Sequence, residues 1–156
     1  MAKVEVKLPT ELVAKFDKLG AETDRIITAS LEAAAVPVKQ AVLQKYDAVV
    51  GRPHVVRGPH GRLYNYGVRA TGGLRRSIGV SPARVNRRGD YDIKIGFAGD
   101  VPNAKITNGR LAGLIERGCK KRNQPPRPFV KPAERASKQA SIDAFAKTFD
   151  EEYAKL

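Results

Sequence analysis

TGGLRRSIGVSPARVNRRGDYDIKIGFAG, residues 71–99, changes character twice within a few residues. Thr71 can cap a helical turn, and Gly72 and Gly73 loosen the entry to it. Leu74 and Ile78 then point one way while Arg75 and Arg76 point elsewhere. The runs SIGVSPARV and YDIKIGFAG bracket NRRGD, and the second run alternates Tyr91, Ile93 and Ile95 against Asp92, Lys94 and Gly96. An Arg-Gly-Asp turn between two β-like runs predicts a hairpin.

On the N-terminal side the pattern is helical. Pro9, Thr10 as N-cap and Glu11 open a helix that Gly20 should stop, with Leu12, Phe16 and Leu19 on one face. A second helix is expected from Thr23 or Asp24, carrying a stripe of Ile27, Leu31, Ala34, Val38 and Ala41. Pro37 interrupts that stripe, which predicts a kink or two shorter helices there. Residues 51–69, GRPHVVRGPHGRLYNYGVR, hold no period, so a long basic loop is expected, mobile in the free protein.

On the C-terminal side, LAGLIERG reads as a short helix or strand ending at Gly118. Pro125, Pro126, Pro128 and Pro132 exclude a regular helix interior before 132. A final helix follows, with Ile142, Phe145, Phe149, Tyr153 and Leu156 as its apolar stripe. Asp150, Glu151 and Glu152 crowd its end, which the helix dipole disfavours, so that end should fray in isolation. Helices at both ends of a hairpin make the class α+β: N-terminal helices and a C-terminal helix on a small antiparallel β-sheet with long basic loops. Residues 1–156 suit a single domain.

The chain carries a formal charge of +13, unevenly placed. Residues 1–50 have 7 basic and 7 acidic side chains, residues 51–138 have 20 and 5, and residues 139–156 have 2 and 4. The middle is therefore a candidate surface for a polyanion or an acidic protein, formed by Arg52, Arg57, Arg62, Arg69, Arg75, Arg76, Arg87 and Arg88. A generally solvated basic surface is the competing reading. No zinc-finger spacing, aromatic RNP-like strand or helix-turn-helix accompanies the charge, so any DNA contact would be to the backbone. Cys119 is the single cysteine and cannot form an internal disulfide, which fits a reducing compartment. No uninterrupted apolar run approaches 18 residues, so no membrane span is expected.

Catalytic constellations are thin. His54, His60 and Cys119 lack the paired spacing of a zinc site. Asp90, Asp92 and Asp100 would suit a magnesium-dependent nuclease only if the hairpin and the following loop brought them together. No metal, cofactor or catalytic residue is assigned.

Three motifs stand in fixed order: TGGLRRSI (71–78), LIERG (114–118) and PPRPFVKPA (125–133), followed by a terminal helix. This order resembles the minor tail-component family of long-tailed bacteriophages, the tail-completion or head–tail joining proteins of the neck. Thr71, Gly72, Leu74, Ser77 and Ile78 match its first motif, and Glu116 and Gly118 its second. Arg127, Pro128, Phe129, Pro132 and Ala133 match its third. Cys119 stands where the family usually has Thr. The resemblance implies a structural virion protein made in the host cytoplasm, with no cofactor and no membrane contact. It implies a ring, six subunits in the family, between head connector or stopper and tail tube or terminator, with passing contact to double-stranded DNA. A sequence-independent nucleic-acid-binding protein is the alternative.

Overall fold

The structure, a computed structural model, describes residues 10–50, 55–57, 59–65, 72–102, 105–120 and 124–155. Its spine is one helix, α1 (Thr10–Val50), unbroken through Gly20 and Pro37. The two N-terminal helices expected from the sequence are thus a single one. A glycine inside a helix costs only about 1 kcal/mol, and Ala21 and Glu22 resume good propensity at once. Pro37 costs more, roughly 3 kcal/mol. Packing offsets it, because Ile26 and Ala34 before it and Val42 and Tyr46 after it are all buried.

The buried face of α1 is rotated from the predicted stripe. Ile26, Ser30, Ala34, Ala35, Val42 and Tyr46 are buried, whereas Ile27, Leu31, Val38 and Ala41 are only half-buried. The cause is α4 (Val130–Tyr153), which lies antiparallel along α1 and presents Ala133, Ser137 and Ser141. Small side chains on both helices carry this contact. Their hydroxyls are satisfied: Ser30 donates to the Ile26 carbonyl at 2.8 Å, Ser137 to that of Ala133 at 2.9 Å, and Ser141 across the interface to that of Ala34 at 2.9 Å. By length and composition Gly20–Val50 would pass for a membrane-crossing helix, against the sequence expectation. In this fold α4 covers part of it.

α4 starts two residues before Pro132, which falls in the first turn, where its missing N–H is harmless. Its predicted core stripe is not its core face. Ile142 is 52% and Tyr153 48% exposed, and Phe145 and Phe149 are half-buried. The rings of Phe145, Phe149 and Tyr153 stack on one another along the helix. The last turn is helical to Tyr153, with Glu152 held by Arg25 at 2.5 Å and by Lys155.

The hairpin expected within 71–99 is present. After the short helix α2 (Gly73–Arg76), β3 (Ile78–Val80) pairs antiparallel with β6 (Ile95–Phe97), and β4 (Arg84–Val85) with β5 (Tyr91–Asp92). Pro82 falls between the two ladders, where the Ser81 N–H still reaches the Lys94 carbonyl at 2.8 Å. Asn86 shapes the turn: its Oδ1 accepts from the backbone N–H groups of Arg88 and Asp90 at 2.8 and 3.1 Å. Within the segment read as a long loop, β1 (Val55–Arg57) and β2 (Leu63–Asn65) form a second hairpin around a turn at Pro59–Gly61. That local pairing corrects the reading of 51–69 as irregular; three-residue strands are too short to leave a period. Helix α3 (Asn108–Arg117) is capped by Thr107, whose hydroxyl accepts from Arg110 N–H at 3.2 Å. The class is α+β, as the sequence predicts. One core cluster joins Val42 and Tyr46 of α1, Leu74 and Ile78, Ala112 and Ile115 of α3, and Phe129 and Ala133.

Candidate functional site

The three sequence motifs converge where α3 meets the start of α4. Glu116, in the last turn of α3, accepts from the backbone N–H groups of Phe129 at 2.7 Å, Val130 at 2.9 Å and Lys131 at 3.2 Å. The N-cap position of α4 is Phe129, which has no side chain to serve, so Glu116 caps the helix from another element. Burial pulls the Glu116 carboxyl upward, but the three N–H bonds and the Lys131 charge together hold it below the usual carboxylate range. Gly118 has φ 75°, and a Cβ there would lie 2.6 Å from the Gln124 carbonyl oxygen. Only glycine lets the returning chain pass this close. Arg127 N–H then bonds the Ile115 carbonyl at 2.9 Å, delivering Phe129 to the core.

Phe129 is fully buried, edge-on to Tyr46 (centroids 5.5 Å) and Phe97 (5.9 Å). Burial first, then the Asp47 charge, raises the Tyr46 phenol, against the opposing influence of Arg127 and Arg75. Arg127 is half-buried, and its Nε is buried with no hydrogen-bond partner among the described residues. Ala133 is buried, Pro132 half-buried and Pro128 exposed.

The first motif is equally structural in its geometry. Gly72 has φ 73°, Leu74 and Ile78 enter the core, and Ser77 bonds its hydroxyl to the Leu74 carbonyl at 2.8 Å. Thr71 lies outside the described residues. Arg75 makes a two-pronged pair with Asp47 of α1, at 2.8 and 3.0 Å, which draws the Asp47 carboxyl downward. Arg76 folds back over Gly72, close enough that a Cβ there would stand 2.9 Å from its Nη1. Asp47 is a partner that the sequence did not reveal, since it lies 28 residues away with no motif of its own.

Among the described arginines, Arg75 lies apart from Arg87 and Arg88. Arg75 sits by the C-terminal part of α1. Arg87 and Arg88 are exposed in the hairpin turn, whose Tyr91 hydroxyl donates to Asp24 of α1. Asp24 and Asp47 are separated by roughly 35 Å of helix axis. Arg62 is exposed, the Arg57 backbone lies in β1, and Arg52 and Arg69 lie outside the described residues. The acidic trio is also dispersed: Asp90 in the turn, Asp92 paired with Lys94 at 3.6 Å, and Asp100 bridged to Thr107. His60 is exposed, His54 lies outside the described residues, and Cys119 is half-buried in a bridge to Gln124. Among the described residues no three His, Cys, Asp or Glu side chains gather as metal ligands. An open groove between α1 and β3 is lined by Val36, Leu43, Val80 and Pro82.

Residues 10–118 match the family model described as "HK97-gp10_like: Bacteriophage HK97-gp10, putative tail-component". The chain belongs to this phage tail-component family. The match contains α1, the hairpin and α3, and so the first two motifs; the third motif and α4 lie beyond it. No curated protein and no solved structure matches the chain. This tail component is thus a structural part of the virion, in contact with other virion proteins. Within it, Glu116, Gly118 and Phe129 act on the fold by joining α3 to α4.

Proposed function

We propose that this tail component is a neck subunit that forms a ring, of six copies, and joins the head connector or stopper to the tail tube or terminator, completing the tail. Family membership over residues 10–118 carries the reading. It is supported by the use of the motif residues: Leu74, Ile78, Glu116 and Phe129 tie four elements into one core, as suits a structural role rather than a chemical one. The exposed arginines of the hairpin turn and the long basic segment supply charge for passing contact with double-stranded DNA or for acidic partners. In this reading the subunit has no catalytic step, needs no cofactor, touches no membrane, and is made in the host cytoplasm before entering the neck.

The experiment is cryo-electron microscopy of particles made with and without the chain. The expected result is a ring of this subunit at the neck, and full heads separate from tails when it is missing. Complete, joined particles lacking the chain would overturn the reading. Tight, salt-sensitive DNA binding by the free subunit, with no place in the particle, would favour the nucleic-acid-binding alternative instead.

A further inference from the structure

We propose that the apolar stripe on the second half of α4 receives the hairpin turn of a second copy of this chain, so that copies join head to tail. The inference rests on the ring reading and names its contact.

The stripe is Ile142, Phe145, Phe149 and Tyr153, beside the small residues that α4 turns to α1. Ile142 and Tyr153 are about half exposed. Helical spacing places Asp143 and Asp150, seven apart, in one line along its solvent side. Both are exposed; Asp143 accepts from Gln139 at 2.8 Å, and Asp150 makes no ion pair among the described residues. The hairpin turn has the opposite composition. Val85 is 56% exposed, the most exposed of the large apolar side chains described, and Arg84, Arg87 and Arg88 are exposed around it. An apolar stripe with two carboxylates beside its second half and Lys138 one turn before it thus faces an apolar tip with three guanidiniums and the single carboxylate of Asp90, which takes a hydrogen bond from Asn86. The residues of the turn and the stripe make no ion pair or hydrogen bond with each other within the described chain.

Position supports the same pairing. Tyr91, beside the turn, bonds Asp24 of α1, and Glu152, at the end of the stripe, bonds Arg25, the next residue. The hairpin tip therefore lies level with the C-terminal end of the stripe, at Tyr153, while Ile142, next to the Ser141 that bonds Ala34, sits about 15 Å further along α1. A heterologous contact gives a closed ring when its rotation closes, and two unlike, complementary patches at one height leave no rise in a ring whose axis follows α1.

The test uses the full chain in a Cys119→Ser background. Val85→Cys and Tyr153→Cys in the same chain should give a ladder of covalent multimers on oxidation at low salt. Mixing the two single-cysteine chains should stop at dimers. Arg87→Glu with Arg88→Glu should abolish the ladder, and adding Asp143→Lys and Asp150→Lys should restore it. Monomer alone at low salt and high concentration, dimers from either single-cysteine chain by itself, or a ladder untouched by charge reversal would each overturn the contact. Neck rings without the 85–153 cross-link would remove this contact and leave the neck reading. A ladder from a chain absent from the particle would do the reverse.

Discussion

Glu116 of α3 holds the backbone N–H of Phe129 at 2.7 Å, so the helix that ends at the second motif caps the helix that the third motif begins. The chain between them makes a tight return through Gly118 and a bridge from Cys119 to Gln124. Most of the testable consequences lie at this junction.

Removing the carboxylate should destabilise the fold. Lost N-caps cost about 0.5–2 kcal/mol. Glu116→Ala removes all three bonds and belongs at the upper end, while Glu116→Gln keeps one acceptor and should fall between. Urea unfolding of the three chains gives the order; equal midpoints would refute the cap.

The same group sets a pH dependence. Its folded pKa lies below the unfolded value, about 4.3 for a free glutamate. The unfolded chain therefore binds more protons in that window, and stability rises with pH. The contribution is fully present above the unfolded pKa and is lost as pH falls through the folded one. Asp47, drawn down by its bond to Arg75, acts with the same sign. Thermal midpoints of the native chain should fall on acidification below about pH 4–5, and less steeply in Glu116→Gln.

Phe129→Ala should cost about 3–5 kcal/mol, because a fully buried ring between Tyr46 and Phe97 leaves a cavity that three elements line. Phe129→Leu should cost less. Calorimetry decides; an unchanged unfolding temperature for the alanine chain would exclude Phe129 as the anchor of α4.

Gly118→Ala forces a side chain into φ 75° and onto the Gln124 carbonyl. A loss of about 1–3 kcal/mol is expected from the strain. Gly79→Ala is the control, since nothing lies within 4 Å of its Cβ position and its φ is ordinary.

The two faces of α4 can be told apart by opposite substitutions. Ser137→Leu overfills the close contact with α1 and should cost about 1–3 kcal/mol. Ile142→Ser, on the exposed stripe, should change the stability of the isolated chain by less than about 0.5 kcal/mol. Reversed results would mean that the stripe is the core face.

The sequence by itself determined the α+β class, the hairpin around Asn86–Asp90 and the final helix. These follow from local rules: turn residues, strand alternation and proline exclusion. Tertiary structure alone decided the rest. Whether Gly20 and Pro37 break α1 depended on what covers Ile26 to Tyr46, since packing can exceed a local cost of a few kcal/mol. Which face of α4 is inward depended on how closely α1 approaches, and close approach selects Ser137 and Ser141 over Phe145 and Phe149. Arg75 meets Asp47, and Glu116 meets Phe129, only because the chain returns, and no spacing in a linear sequence encodes that return.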